Sequence, residues 1–285
     1  MASEQPRAAD KAGIGLLVVG GGRMGEALVS GLLASGAYEP ASVVVAEASA
    51  GRREELSAEA GLAGRFPGVT IGAEPVAAEA VIVAVKPADA EVACGSIARL
   101  SPRRVLSVMA GIPLSKLETW LAPREPARAP AVVRAMPNTP ALIGVGAAAI
   151  AAGTHAGGED VEWAKGVLSS VGTVVQLPER LLDAVTGLSG SGPAYVFFFA
   201  EALIDAGAAV GLAPEVSRDL VIQTLLGSAR LLAESGDTPE SLRAAVTSPG
   251  GTTAAGLRAL EAAAFRNAIL DAVAAATERS RELGV

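Results

Sequence analysis

Ile14-Gly15-Leu16-Leu17-Val18-Val19-Gly20-Gly21-Gly22-Arg23-Met24-Gly25 reads as an aliphatic strand that turns on glycines and leads into a helical pattern over Arg23–Ser35. Gly20, Gly22 and Gly25 fall at G-x-G-x-x-G spacing. The first allows a tight turn, the second lets the backbone approach a pyrophosphate, and the third lets the helix pack on the strand. The N–H groups at the helix start, with Arg23 and Met24 among them, then face the anion. A glycine triplet alone is weak evidence, because glycine-rich turns are common. The strand before it, the helix after it and Glu47 at the end of the next strand give it specificity, and together they point to dinucleotide binding.

Glu47 bears on which dinucleotide. A carboxylate there accepts hydrogen bonds from the adenosine ribose hydroxyls and repels a 2′-phosphate, which favours NADH. Arg52 and Arg53 follow closely. Either they pair with that phosphate, which keeps NADPH open, or they form the solvated first turn of the next helix.

Outward from this segment, aliphatic runs predict strands at Ser42–Ala46, Ala80–Val85, Arg104–Met109, Val132–Ala135, Ala147–Ala151 and, as an edge, Thr173–Leu177. Helical patterns lie between them at Gly51–Ala60, Ala88–Leu100 and Leu114–Leu121, and Pro123, Pro126 and Pro130 mark a connection. The alternation predicts an α/β domain of Rossmann type over residues 14–177, a mostly parallel, doubly wound sheet. Val81 to Val85 is apolar without alternation, as a strand covered on both faces should be. After Pro178 the strands stop. Helices are expected from Pro193 to about Val210, from Pro214 to about Ala233, from near Thr252, and to near Leu283. Residues 178–285 therefore read as an all-α second domain, and residues 1–13 as a tail.

Composition narrows the partners. The 285 residues carry a formal net charge of -7, which argues against non-specific nucleic-acid binding. A single cysteine, Cys94, and a single histidine, His155, exclude an intrachain disulfide framework and a His- or Cys-rich metal cage, so no metal is expected. Cys94 is read as a small buried hydrophobe and His155 as a structural or surface residue. No secretory signal is read in residues 1–12, and no stretch reaches the roughly 18–20 uncharged apolar residues that span a bilayer. A cytoplasmic protein is expected, with its positive mean hydropathy assigned to a large subunit interface.

Other segments carry candidate site residues. Ala84-Val85-Lys86-Pro87 closes a strand at its carboxyl end, where ligands gather in open α/β sheets. Lys86 is either a plain surface lysine or a neighbour of the nicotinamide. Met136-Pro137-Asn138-Thr139-Pro140 ends another strand, and Asn138 either orients a bound group or caps a turn. Leu188 to Tyr195 and Thr247 to Thr253 are small-residue stretches ahead of helices. Either supplies N–H groups and hydroxyls to a small carboxylate, or is an ordinary capped helix start.

In five blocks the chain resembles the pyrroline-5-carboxylate reductase family: the glycine turn, Ala84 to Pro87, Met136 to Pro140, Asp183 to Tyr195, and Ser248-Pro249-Gly250-Gly251-Thr252-Thr253. The blocks follow the family's order and spacing over nearly the whole chain. The resemblance implies a Rossmann domain followed by a helical domain that dimerises by interlocking helices, often within larger rings such as decamers. It implies reduction of 1-pyrroline-5-carboxylate to L-proline by NADPH or NADH. It places Ser248, Gly250, Gly251, Thr252 and Thr253 at the substrate carboxylate, with the Thr253 hydroxyl near the imine nitrogen. It also places Lys86 and Asn138 at the nicotinamide pocket. Glu47 departs from the small polar residue common in NADPH-preferring members.

Two rival readings stand beside this one. A β-hydroxyacid dehydrogenase type of reductase generally uses a lysine in its second domain, and no lysine follows Lys165 here. A non-catalytic dinucleotide-binding protein would bind cofactor without turnover.

Overall fold

The computed structural model describes residues 14–123 and 128–284. Pro126 and the tail read over residues 1–13 lie outside the described residues. The described chain forms two compact units. One runs to Gly190 and takes in the chain from Thr277 onward; the other is Ser191–Ala276. The strands end near residue 178, yet contacts keep residues 178–190 with the sheet.

The first unit is built on a sheet that has eight strands among the described residues, in the order β3-β2-β1-β4-β5-β6-β7-β8. These are β1 Leu16–Val19, β2 Val43–Ala46, β3 Thr70–Gly72, β4 Ala80–Val83, β5 Arg104–Ser107, β6 Ala131–Met136, β7 Gly146–Ala152 and β8 Gly172–Gln176. All neighbours are parallel except β6 and β7. Every residue of β1, β2 and β4 is buried, which is why their sequences are unbroken aliphatic runs. The two-residue period of a strand divides them between two cores. Leu16 and Val18 join one cluster, Leu17 and Val19 the other. Onto the first core pack α1 Arg23–Ala34, α2 Ala50–Ser57, α3 Leu62–Arg65 and α6 Gly158–Ser169. Onto the second pack α4 Ala90–Ala98, α5 Leu114–Trp120 and α7 Leu182–Val185. Cys94 lies fully inside this second core, where burial pushes its thiol up to about 12.

Several boundaries differ from the sequence reading. The strand expected to run to Val85 stops at Val83, because the chain turns into a 3-10 helix at Pro87–Asp89. Strand β3 is three residues long and partly exposed, so it leaves little periodic signal. Helix α6 was hidden behind Gly157 and Gly158. Its buried Val161, Ala164, Val167 and Leu168 do follow helical spacing, and the Asp160 carboxylate accepts from the Gly157 N–H at 3.0 Å at its start.

The second unit is helical: α8 Gly192–Ala209, α9 Pro214–Glu234, α10 Pro239–Ala245, α11 Thr252–Ala262 and the first part of α12 Phe265–Gly284. A proline starts α9 and α10, where its missing N–H costs nothing. α8 and α9 come close at Gly207, where a side chain would overlap the Ser217 hydroxyl; that hydroxyl donates to the Ile204 carbonyl at 2.9 Å. Helix α10 was not read from the sequence. Helix α8 has no buried residue at all, although Val196, Phe197 and Phe198 lie on it. Among the described residues no helix is long and apolar enough to cross a membrane.

Candidate active site

In the first unit, β1 lies between β2 and β4, so the chain's crossovers leave it in opposite directions. The strand order therefore switches direction at the carboxyl ends of β1 and β4, the usual ligand position in such sheets. Gly20 leaves β1 with φ +100, and a Cβ there would lie 2.7 Å from the Ala84 carbonyl at the end of β4. Only glycine satisfies both conditions. Gly25 sits so close under the turn that any side chain would overlap the Gly20 carbonyl. Gly22 differs. It caps α1 without a side-chain hydrogen bond, is exposed, and a Cβ added to it would meet nothing within 4 Å. The N–H groups from Gly22 to Gly25 have no intrahelical acceptor. A glycine-lined gap in front of free helix amides fits a dinucleotide pyrophosphate.

Glu47 follows β2 and is tied to this turn. One carboxylate oxygen accepts from the Gly21 N–H at 2.8 Å, the other from the Ser49 N–H at 2.8 Å. Arg52 donates from Nε to the Gly21 carbonyl at 2.8 Å and pairs with Glu26 at 2.5 Å and Glu55 at 2.7 Å. Arg53 donates to the carbonyls of Glu47 and Ala48 at 2.8 and 2.6 Å. Neither arginine is simply solvated. Glu26, in the first turn of α1, also receives Arg65 at 2.6 Å. No local pattern marks this role of Glu26, since its partners stand 26 and 39 residues away.

At the end of β4, Lys86 is exposed; its carbonyl accepts from the Asp89 N–H at 2.9 Å, while its ammonium makes no hydrogen bond or ion pair among the described residues. Its neighbours Ala84 and Val85 are half-buried under the glycine turn. Asn138, after β6, uses both ends of its amide. Nδ2 donates to the Ser189 carbonyl at 3.0 Å, and Oδ1 accepts from the Ala147 N–H at 2.8 Å. It thus joins the ends of β6 and β7 to the segment Thr186–Gly190. That segment is a π-helical turn, with the Ser189 hydroxyl returned to the Val185 carbonyl. A side chain at Gly190 would strike Met136 Cε at 2.6 Å.

In the second unit, Ser248-Pro249-Gly250-Gly251 forms a tight turn. The Gly251 N–H donates to the Ser248 carbonyl at 3.1 Å, and Gly250 takes φ +72, a position suited to glycine. Helix α11 starts at Thr252, capped by Gly251 without a side-chain bond. A Cβ at Gly250 would meet nothing within 4 Å, while one at Gly251 would overlap the Ser248 hydroxyl. Ser248, Gly250, Thr252 and Thr253 are exposed. The N–H groups of Thr252, Thr253 and Ala254 have no intrahelical acceptor, so this turn presents amides and hydroxyls suited to a small carboxylate. Each unit thus carries a glycine-built helix start. Among the described residues no three His, Cys, Asp or Glu side chains gather as a metal site. His155 lies elsewhere, lining a surface hollow with Arg103 and Arg128.

Comparison with known proteins gives these features a family setting. Residues 179–283 match the family model described as pyrroline-5-carboxylate reductase dimerisation, and residues 14–111 match that described as NADP oxidoreductase coenzyme F420-dependent. A pyrroline-5-carboxylate reductase from Synechocystis sp. is 40% identical over 276 residues, covering 95% of this chain and 98% of the relative. One from Mycobacterium tuberculosis is 43% identical over 296 residues, covering 95% and 97%. Among solved structures, a pyrroline-5-carboxylate reductase from Coxiella burnetii superposes with a TM-score of 0.84 at 32% identity, covering 95% of this chain and 98% of that one. A Plasmodium falciparum pyrroline carboxylate reductase with NADP bound gives 0.79 at 28% identity, covering 95% and 98%.

Proposed function

The chain belongs to the pyrroline-5-carboxylate reductase family, and on that premise we propose that it reduces 1-pyrroline-5-carboxylate to L-proline, with NADH as the favoured hydride donor. One observation supports this reading most: two glycine-built helix starts, at Gly20–Gly25 and Ser248–Thr253, each leave room for an anion. A dinucleotide has a pyrophosphate for the first, and the substrate has a carboxylate for the second.

The bound nicotinamide supplies the hydride. Gly20, Gly22, Arg23, Met24 and Gly25 hold the pyrophosphate, and Glu47 faces the adenosine ribose. Ala84, Val85, Lys86 and Pro87 border the nicotinamide, with the Lys86 ammonium free to act near the reacting centre. Asn138 shapes that pocket through the π-helical turn it holds. Ser248, Gly250, Gly251 and Thr252 hold the substrate carboxylate, and the Thr253 hydroxyl hydrogen-bonds the ring nitrogen. The chemistry asks for orientation more than for a strong acid. A cyclic imine is basic enough to arrive protonated, so holding the reacting atoms at about 3–3.5 Å is the main contribution of the protein.

NADH is favoured because Glu47 carries a negative charge that no ion pair offsets among the described residues, while Arg52 is neutralised by Glu26 and Glu55. The helical unit serves as the dimer surface, through interlocked helices, and the dimers assemble further into a ring. The compartment this reading carries is the cytoplasm. Initial rates of NADH and NADPH oxidation, at equal concentrations and with pyrroline-5-carboxylate present or absent, test the activity and the preference together. Imine-dependent oxidation that is faster with NADH is expected. Binding without turnover would leave a dinucleotide-binding protein, and turnover of a β-hydroxyacid instead would favour the rival reductase class.

A further inference from the structure

The backbone of Gly21, between Gly20 and Gly22, is held through both of its peptide units. Its N–H donates to Glu47 Oε2 at 2.8 Å, and its carbonyl accepts from Arg52 Nε at 2.8 Å. Gly21 is also pressed against α2, since a Cβ there would come to 2.5 Å from Leu56 Cδ1. Arg52 is itself anchored. Its remaining nitrogens pair with Glu26 at 2.5 Å and Glu55 at 2.7 Å, and its side chain is only 25% exposed. Glu55 and Glu26 together hold the guanidinium above its ordinary value. Glu26 belongs to the first turn of α1, so Arg52 links the glycine turn, the helix that follows it and α2. A guanidinium presents donors in a rigid planar fork and serves all these acceptors at once; an ammonium does not.

Resting on the dinucleotide reading above, we propose that Arg52 is a positioning residue that sets the phosphate-binding turn before the ligand arrives. It fixes the Gly21 peptide, and with it the direction of the Gly22 amide and the start of α1. A turn already in its bound shape loses less conformational freedom on binding, which appears as affinity. Each of the three guanidinium nitrogens of Arg52 donates to a protein acceptor, and Glu26 and Glu55 offset its charge, so turning it onto a 2′-phosphate would compete with pairs already made. Arg52 therefore contributes to NADH and NADPH alike.

The test is calorimetric binding of NADH and of NADPH, without the imine, to the full chain and its Arg52→Met variant. Loss of one charge-assisted hydrogen bond and its anchor should raise both dissociation constants by about tenfold, with their ratio held within about twofold. In turnover the loss should fall on KM for the dinucleotide and not on kcat at saturation. Arg52→Lys should not rescue binding, because charge without the fork leaves Gly21 unheld. Glu26→Gln, which keeps the shape but loosens the anchor, should give a smaller loss shared by both cofactors. It carries the test if Arg52→Met does not fold. A loss confined to NADPH would overturn the proposal in favour of a 2′-phosphate ligand. Unchanged affinity for both would overturn it as well, as would full rescue by lysine. An unmutated chain that binds dinucleotide yet leaves the imine unreduced would refute the functional reading and leave this one standing.

Discussion

In the sheet unit Leu16, Leu17 and Val18 are fully enclosed, whereas in the helical unit Phe197, Phe198 and Val210 keep 63%, 73% and 82% of their surface exposed. The side chains are equally apolar, and the difference lies in what covers them. A parallel sheet with helices on both faces buries its own strands. The helical unit, with no buried residue on α8, leaves an apolar surface of the kind that marks association. That the model matched over residues 179–283 is one of dimerisation agrees with this physical reading. Apolar sequence therefore speaks of self-burial in the first half and of a partner surface in the second.

Substitutions test that contrast. The largest effect is expected at Leu106, wholly buried in β5. Leu106→Ala should lower the unfolding free energy by about 2–5 kcal/mol, read from urea melts at fixed protein concentration. Phe198→Ala should act differently, weakening subunit association by about 2 kcal/mol or more while hardly changing a protomer's own melt. Sedimentation over a range of concentrations would detect it, and an unaltered oligomer would place the partner surface elsewhere. The two anion sites should also separate. Thr253→Ala should lower kcat/KM for the imine by about tenfold, one hydrogen bond's worth, with dinucleotide affinity unchanged. An unaltered kcat/KM would remove Thr253 from the chemistry. The smallest change is expected from Glu47→Ser. It should weaken both cofactors, through the lost Gly21 contact, yet raise the relative use of NADPH severalfold, by about 1 kcal/mol of relieved repulsion. A fixed NADPH-to-NADH rate ratio would show that Glu47 holds the turn and does not choose the cofactor.

The sequence was most legible where one physical rule acts locally. Unbroken aliphatic runs located β1, β2 and β4, and glycine spacing located the turn where Gly20 and Gly25 meet close backbone. It was least legible where signals were short or partners distant. Strand β3 has one exposed and two half-buried residues, and α6 opens on two glycines. The Asn138 amide reaches Ser189, 51 residues on, and Arg52 reaches back 31 residues to Gly21. Composition and periodicity hold no record of such pairings, because either partner alone looks like an ordinary surface side chain.

Helix α12 sets a condition on how the chain can be made and divided. Its last turns lie with the sheet unit: Ser280 donates to Asp183 at 2.7 Å, and a Cβ at Gly111 would come to 3.5 Å from Leu283 Cβ. The sheet thus lacks a component until the ribosome has finished all of Ser191–Ala276. No single cut yields both units whole, and a fragment stopped at Gly190 would leave the Asp183 carboxylate without its hydroxyl donor.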